Sequence, residues 1–342
     1  MALNYPYEIK DLSEQENSEI LRYFKGIQDS YVRVGPKGYF FTSGFKEDAP
    51  KIYNLALKAD DVWVVSLPKS GTTWTQELVW MVANDCDYEE AKTRNLMERF
   101  PFLEMGMFLK SSKTKDMPNQ LSLNITEQEK QIIASMYRSG IDLIEEMPSP
   151  RFIKSHLPLS LLPPSLLDTC KVVHVARDPR DVAVSYYYHC KLFLNTNFTG
   201  DFNTFWKFFI NDQIEHLPYF ENLKEWWAQK THPNLLFLFY EDLLKDLPSA
   251  VRNVADFLGK QMSKQQIDRL CDHLSFDNFK TNLSVNCEGI RSLGLLRENH
   301  SFIRKGKSGG WRDYFDEEMQ QEAARWMQDN LRGTGLKFQT VD

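Results

Sequence analysis

Short apolar runs, separated by segments of helical periodicity, predict alternating strands and helices along this chain. Four runs rich in Val, Leu, Ile and Phe lack the strict alternation of half-exposed strands: residues 62–66, 152–155, 171–176 and 235–240. Strands that are apolar on both faces are typical of a parallel sheet covered by helices on both sides. The pattern therefore predicts an α/β fold of three layers, α/β/α, around a central, mainly parallel sheet.

Several of the intervening helices have recognisable first residues. Asp178 is placed to cap a helix whose first position is Pro179. Ser263 and Gln266 form a capping-box pattern at the start of another helix. Further helices are expected directly after the first strand and over the segments 204–230, 248–258 and 319–331.

Nothing along the sequence divides its 342 residues into separate domains. The chain is 42% hydrophobic, which is enough for one large core, and it has no internal repeat and no Pro/Gly/Ser-rich linker. We therefore expect a single domain over residues 1–342. Residues 106–150 are polar and begin with a Lys/Ser-rich stretch, so we interpret them as an insertion or lid.

Charge and composition argue against several classes of protein. The formal net charge of −6 argues against a nucleic-acid groove, so local positive charge must hold any anionic ligand. The first residues lack the apolar core of a signal peptide, and no run approaches the ~18 apolar residues of a membrane span. The five cysteines are scattered and fit neither a disulfide framework nor a zinc site. We expect a cytoplasmic protein that binds no nucleic acid, membrane or metal.

The stretch SLPKSGTTW, after the first predicted strand, has the composition of an anion-binding loop. Lys69 supplies a positive charge, Gly71 lets the backbone approach a ligand, and the following helix N-terminus favours an anion. Hydroxyl donors come from Ser70, Thr72 and Thr73. In a Walker A loop the lysine follows the second glycine, whereas Lys69 precedes Gly71 by two residues. The order argues against a Mg-nucleotide hydrolase; an ordinary strand–helix turn is the alternative.

Two further cationic clusters strengthen the interpretation of an anion site. Arg177 directly follows the third strand, and Ser185 lies eight residues later in the next helix. The stretch FIRKGKSGGW, residues 302–311, places basic residues among glycines. Taken alone, Arg177 could pair with a nearby aspartate, and the second stretch could be a solvated surface. Three cationic turns together suggest a ligand with at least two phosphate-like groups.

The candidate catalytic residue is a histidine at the end of the second strand. Lys154 and His156 are two residues apart, so on a strand they point to the same face. A histidine in this position is suited to removing a proton from a hydroxyl near neutral pH. A hydrogen-bonded structural histidine is an equally good interpretation of the pattern alone.

Five stretches in order resemble the cytosolic sulfotransferases. They are KSGTTW (69–74), IKSHLPLSLLP (153–163), VARDPRDVAVSYY (175–187), LFLFYEDL (236–243) and FIRKGKSGGW (302–311). The resemblance runs from about residue 35 to the last helix, nearly the whole chain. It implies direct sulfuryl transfer from 3′-phosphoadenosine 5′-phosphosulfate (PAPS), with adenosine 3′,5′-bisphosphate (PAP) as product and no metal.

The resemblance also assigns roles to matching positions. It implies His156 as general base and Lys69 and Lys154 as stabilisers of transferred charge, with Ser185 counted among the catalytic residues. The 5′ end of PAPS would be bound by Lys69, Ser70, Gly71, Thr72 and Thr73. The 3′-phosphate would be bound by Arg177, Ser185, Arg304, Lys305 and Gly306. The adenine would lie among Trp74, Tyr240, Leu274, Ser275 and Phe276.

The sequence departs from the family pattern at two places. The family's threonine before Ser-Phe is Leu274 here, which removes one hydroxyl near the adenine. The family's dimer motif is only partly matched over residues 280–288, which has one residue fewer before its glutamate. Monomer and homodimer therefore both stay open.

The acceptor is expected to be a small hydrophobic molecule with a hydroxyl group, such as a phenol, a steroid or another alcohol. Its pocket is expected beside Lys154 and His156, with walls from Phe102, Met105, Tyr188 and His189. Phe40, Phe41 and Phe45 are either a further wall or core residues, and core packing is the favoured interpretation. The long 106–150 insertion resembles the insect retinol-dehydratase branch, whose members sulfate an allylic alcohol that then loses sulfate.

Two other classes of function remain as alternatives at this level. A nucleotide-binding kinase or switch would use residues 235–242 as a Walker B strand and would bind Mg-ATP. A binding module without activity would lack one of the catalytic residues. The joint presence of Lys69, Lys154, His156 and Ser185 argues against this last class.

Overall fold

The computed structural model describes residues 2–113, 138–291 and 294–339. The strands in this part of the chain are β1 (Ile9–Asp11), β2 (Tyr31–Val34), β3 (Tyr39–Thr42), β4 (Val62–Val65), β5 (Phe152–Ser155), β6 (Lys171–Ala176) and β7 (Leu235–Phe239). The first helices are α1 (Glu14–Leu21), α2 (Phe45–Tyr53), α3 (Thr72–Ala83), α4 (Tyr88–Thr93), α5 (Leu96–Arg99), α6 (Met105–Ser111), α7 (Gly140–Glu146) and α8 (Leu166–Thr169). The later helices are α9 (Pro179–Leu192), α10 (Phe202–Ile210), α11 (Tyr219–Ala228), α12 (Tyr240–Lys245), α13 (Leu247–Leu258), α14 (Lys264–His273), α15 (Phe276–Thr281) and α16 (Glu317–Leu331).

The central sheet has four parallel strands in the order β5-β4-β6-β7. Val64 of β4 lies opposite Lys154 of β5 on one side and Val173 of β6 on the other. All four predicted strands are confirmed, with β4 and β7 each one residue shorter than expected. Because parallel strands end at the same edge of a sheet, the loops after β4, β5 and β6 converge there.

The three layers follow from the burial of both faces of this sheet. On one face, Val64 and Val173 pack with α3, α13 and α14. On the other face, Trp63 and Val172 pack with β2, β3, α2 and α7. A further core joins α9, α10 and α16 beyond β6. The predicted three-layer α/β fold is confirmed.

A second sheet is present that the apolar pattern did not predict. Strands β1, β2 and β3 form an antiparallel sheet in that order. Gly35 and Gly38, with φ of 67° and 66°, allow the tight connection between β2 and β3. The strands β2 and β3 are four residues long and nearly fully buried, so they lack the alternation that identifies a half-exposed hairpin.

Most predicted helix ends are confirmed, but one helix is in fact two. Asp178 accepts a hydrogen bond from the Arg180 N–H, and Ser263 forms the predicted capping box. The segment 204–230 forms α10 and α11, separated by a loop in which Asp212 and His216 have positive φ. A helix cannot continue through residues in that conformation.

The predicted insertion contributes two helices to the part of the chain that the structure describes. These are α6, which packs on α2, and α7, which packs on α6. Residues 114–137 lie outside the described residues, and the prediction of a lid concerns them. None of the described helices is long and apolar enough to cross a membrane.

His174, in the middle of β6, gives a prediction about stability. Its ring is stacked between Trp226 and Phe237, and burial lowers its pKa to about 3. Neither ring nitrogen has a hydrogen-bond partner within residues 2–113, 138–291 and 294–339. In the unfolded chain His174 is protonated below about pH 6.5, whereas in the folded chain it stays neutral. The free energy of unfolding therefore falls as the pH drops below about 6.5. When the pH falls from 8 to 5, the free energy of unfolding of His174→Phe should therefore rise by about 2 kcal/mol relative to that of the natural chain.

Urea unfolding at both pH values measures this difference. His232→Gln, at the half-buried His232 of a surface turn, is the control. If the stability difference between His174→Phe and the natural chain is equal at both pH values, His174 does not cause the loss of stability at acidic pH.

Candidate active site

One cavity of about 860 Å³ opens at the carboxyl edge of the central sheet and collects most of the predicted site residues. Those that line it are Lys69, Gly71, Thr72, Thr73, Trp74, Phe102, Met105, Lys154, His156, Arg177, Ser185, His189, Tyr240, Leu274, Ser275, Phe276, Arg304, Lys305 and Gly306. Ser70 and Tyr188 are adjacent to the cavity without lining it. Residues as distant in sequence as Lys69 and Gly306 are thus brought into one site.

The loop between β4 and α3 adopts an unusual backbone. Lys69 and Gly71 have φ of 69° and 101°. The turn lets the amides at the start of α3 face the cavity, as anion-binding loops require. Ser66 stabilises it, because its hydroxyl lies 2.6 Å from that of Thr72. Ser70 is buried, and its hydroxyl has no hydrogen-bond partner among the described residues.

Two glycines let aromatic rings approach the backbone at one end of the cavity. A Cβ at Gly71 would lie 2.6 Å from the ring of Tyr240, and a Cβ at Gly306 would lie 2.2 Å from that of Phe276. Trp74 lies 5.7 Å from Tyr240 and donates its indole N–H to the carbonyl of Leu274. The three rings form an aromatic end to the cavity that is suited to a flat heterocycle.

Arg177 joins the two cationic loops. Its guanidinium donates to the carbonyls of Lys69 and Lys307, at 3.1 and 2.8 Å, and lies 4.3 Å above the ring of Tyr240. In the part of the chain that the structure describes, its Nε has no hydrogen-bond partner. The alternative of a pair with a neighbouring aspartate does not apply, because Asp178 instead pairs with Arg180.

Asp181 anchors the loop 302–311, a role that the sequence did not indicate. Its carboxylate accepts the backbone N–H groups of Gly309 and Trp311, at 2.6 and 3.0 Å, and the hydroxyl of Ser308. One buried carboxylate thereby holds the loop against α9. Only its position in the first turn of a helix is visible in the sequence, and an acidic residue there is ordinary.

Two lysines place positive charge in the middle of the cavity. The Nζ of Lys69 lies 4.3 Å from the ring of Phe302, and that of Lys154 lies 4.2 Å from the ring of Phe102. Neither has a salt bridge within the residues that the structure describes. Burial lowers the pKa of each to about 8. An anionic ligand would offset the cost of burying these charges, so the pair favours one strongly.

His156 presents one ring nitrogen to this charged region. Its Nδ1 lies 2.6 Å from the carbonyl oxygen of Ser66. Because a carbonyl only accepts, Nδ1 carries the hydrogen and Nε2 keeps a free lone pair. Burial, with the nearby charge of Lys154, lowers the pKa of His156 well below its ordinary value. The ring therefore stays neutral near pH 7 and is able to accept a proton.

The wall beyond His156 is aromatic and includes residues that the sequence did not single out. Phe102 lies 5.1 Å from the His156 ring, and His216 lies 5.3 Å from it. His189 and Tyr186 complete this side of the cavity. His216 comes from the loop between α10 and α11, which no motif marks.

Some predicted pocket residues are placed elsewhere. Tyr188 does not line the cavity; its ring packs on Tyr314 and lies 4.6 Å from the guanidinium of Arg304. Phe40, Phe41 and Phe45 are fully buried in the core, as the favoured interpretation held. Among the described residues, no group of three or more His, Cys, Asp or Glu side chains is placed to hold a metal ion.

Comparison with known proteins identifies this arrangement. The profile of the sulfotransferase domain matches residues 59–335. Luciferin sulfotransferase of Photinus pyralis is 32% identical over 320 residues, which cover 92% of this chain and 83% of that protein. The chain belongs to the sulfotransferase family. Sulfotransferase 1E1 of Bos taurus is 30% identical over 297 residues, 86% of this sulfotransferase and 92% of the bovine one.

A solved structure extends the comparison over almost the whole chain. Retinol dehydratase in a complex with retinol and PAP is 44% identical to this sulfotransferase, with a TM-score of 0.90. The match covers 98% of this chain and 100% of that one. The predicted family is thus confirmed, and with it the reaction class, a PAPS-dependent sulfuryl transfer.

The anchoring by Asp181 leads to a prediction about the loop 302–311. Asp181→Ala leaves the buried N–H groups of Gly309 and Trp311 without acceptors, at a cost of about 1–3 kcal/mol each when water cannot replace the carboxylate. Hydrogen exchange of a 302–315 peptide should become at least tenfold faster. Asp313→Asn, which removes an exposed pair with Lys305 nearby, is the control. Equal exchange in the two variants would show that Asp181 does not anchor the loop.

Proposed function

We propose that this sulfotransferase moves the sulfuryl group of PAPS to the hydroxyl of a small hydrophobic acceptor, with His156 as general base. The proposal is carried by one observation. A neutral histidine with a free Nε2 lies in the same cavity as two lysines that form no salt bridge with the described residues. Proton removal and stabilisation of a developing negative charge are therefore available at one place.

The residues at the cationic end of the cavity fit the donor PAPS. The unpartnered hydroxyl of Ser70 and the unpartnered Nε of Arg177 are donors that a bound anion would satisfy. Gly71 and Gly306 keep the backbone open for close approach. Arg304 and Lys305 bring further charge from the loop 302–311. Two phosphate-like groups and a purine match this combination of cations and aromatic rings.

Each catalytic side chain has one task in the reaction. The Nε2 of His156 accepts the proton of the acceptor hydroxyl, and the bond from Nδ1 to Ser66 keeps the ring in the required tautomer. Lys69 and Lys154 stabilise negative charge on the transferred group and on the phosphate that leaves. Ser185, at the first turns of α9, lines the cavity beside Arg177 and contributes a hydroxyl.

The acceptor is inferred from the wall beyond His156. Phe102, Met105, His189 and His216 make a mostly aromatic surface that suits a flat, apolar alcohol. The similar retinol dehydratase has been solved with retinol and with androsterone, an isoprenoid alcohol and a steroid. We place the acceptor in this class. We also place the enzyme in the cytoplasm, as a monomer or homodimer.

The general-base assignment predicts the effect of removing His156. His156→Ala should lower kcat about 10²–10⁴-fold, because the proton then has no acceptor in the site. Binding of PAP should change by less than about threefold, since the ring lies outside the cationic end of the cavity. His300→Ala, which changes a histidine outside the cavity, is the control. Full activity of His156→Ala would show that another group removes the proton.

The 44% identity to retinol dehydratase, against 30–32% to the sulfotransferases named above, supports a second candidate function. In it, an allylic alcohol is sulfated by the same donor and then loses sulfate. Incubation with PAPS and retinol distinguishes the two. Elimination predicts free sulfate and an anhydro-hydrocarbon, whereas simple transfer predicts a stable sulfate ester. Accumulation of the ester in stoichiometric amount with PAP would exclude the elimination.

A further inference from the structure

Glu104 is a buried acidic residue that lies beside the end of β5, the strand that precedes His156. The mechanism above assigns it no role. It is 0% exposed and lies between the segment 101–103 and the start of α6. One oxygen, Oε1, accepts two hydrogen bonds, from the backbone N–H of His156 at 2.7 Å and from the hydroxyl of Ser155 at 2.8 Å. The other, Oε2, has no hydrogen-bond partner among the residues whose positions the structure describes.

The hydroxyl of Ser155 extends this arrangement by one residue. It accepts the N–H of Leu157 at 3.1 Å while it donates to Glu104. The strand β5 ends at Ser155, so beyond it the backbone has no sheet partner on this side to hold it. The carboxylate of Glu104 therefore holds the N–H side of residues 155–157, where the chain leaves the sheet and His156 enters the cavity. On the other side, the amide of Asn222 donates to the carbonyl of His156 at 3.2 Å.

The segment before Glu104 positions the second catalytic side chain. The N–H of Lys154 donates to the carbonyl of Pro101 at 3.0 Å, and the N–H of Leu103 donates to the carbonyl of Lys154 at 2.9 Å. The segment thus pairs with the last residues of β5. Through this pairing, the ring of Phe102 lies 4.2 Å from the Lys154 ammonium and 5.1 Å from the His156 ring.

We propose that Glu104 is a positioning residue for sulfuryl transfer. Its carboxylate holds the end of β5 so that the ring of His156 and the ammonium of Lys154 face the reacting groups. Catalytic groups must be held to within a fraction of an ångström, and a misplacement of about 1 Å costs about 10²-fold in rate. This inference rests on the proposed function, because it concerns the same base and lysine.

The charge of Glu104 gives the proposal a pH signature. Burial raises the pKa of Glu104 to about 7, whereas burial keeps the pKa of His156 well below its ordinary value. Lys154 is the charged side chain that acts on Glu104; Asp48, on α2 near Gly106, pairs with Lys110 instead. Below pH 7, Glu104 becomes neutral and a weaker acceptor for the His156 N–H. We therefore expect kcat to fall at acidic pH, in what we call the acid limb of its pH profile, as Glu104 is protonated.

Three variants and one control test the proposal through kcat as a function of pH. Glu104→Ala should lower kcat about 10–100-fold with the KM for PAPS unchanged within about threefold. Glu104→Gln keeps an accepting oxygen but cannot ionise, so its acid limb near pH 7 should vanish. In the natural enzyme, the negative charge of Glu104 raises the pKa of Lys154. Glu104→Gln removes that charge, so the fall of kcat at alkaline pH should move to lower pH in this variant.

Ser155→Ala provides an independent readout. Removal of its hydroxyl takes away a hydrogen bond that lowers the pKa of Glu104, so the acid limb should move to higher pH. Asp48→Asn is the matched control, because Asp48 is also a buried carboxylate beside α6 but makes no bond to β5. Its pH profile should equal that of the natural enzyme.

The possible results separate this inference from the proposed function. If Glu104→Gln and Ser155→Ala keep the acid limb of the natural enzyme, the positioning role of Glu104 is wrong. The same holds if Glu104→Ala folds and keeps full kcat. If the natural enzyme transfers no sulfuryl group to any hydroxyl acceptor, the proposed function itself fails. Should Glu104→Ala not fold, the acid limbs of the other two variants decide.

Discussion

The hydrogen bond between the His156 ring and the carbonyl of Ser66 joins the two halves of the active site. Ser66 directly follows β4, and its hydroxyl also pairs with Thr72, the first residue of α3, where the anion-binding loop ends. The same residue thus sets the tautomer of the base and the shape of the loop that faces the donor. Ser66 and His156 can make this contact because β4 and β5 are adjacent and parallel, so their ends lie side by side.

A chain of net charge −6 binds an anion here only because its positive charges converge. Arg177 ties the first loop to the loop 302–311, Asp181 anchors that second loop to α9, and Lys69 and Lys154 lie between them. Without a ligand, burial disfavours the charged forms of the two lysines. A bound phosphosulfate would offset that cost, so the site is built to be most stable when it is filled.

The central sheet and the site motifs could be predicted from the sequence because each is local. A buried strand is a run of apolar residues, and an anion loop is a short string of Lys, Ser, Gly and Thr. The capping box at Ser263 is likewise contained in four residues. Resemblance to a family then supplied roles that spacing alone left open, as between a structural and a catalytic His156.

The parts that were missed depend on contacts between residues distant in sequence. Asp181 and Glu104 look like ordinary surface acids, and only the fold shows that each accepts hydrogen bonds from a segment far along the chain. His216 lines the cavity from the loop after α10, in which Asp212 and His216 have positive φ. Nothing in the sequence of this loop predicts that backbone conformation. Tyr188 was expected in the pocket, but on α9 it faces Arg304 and Tyr314 instead.

We propose that the cationic cavity is a donor site for PAPS and needs no metal to bind it. Isothermal titration with PAP in the presence of EDTA is the decisive test, with Mg-ATP as the competing ligand. We expect one PAP per chain, bound equally well with and without EDTA, and much weaker binding of Mg-ATP. Tight binding of Mg-ATP together with no binding of PAP would contradict it and would support a nucleotide-dependent kinase or switch.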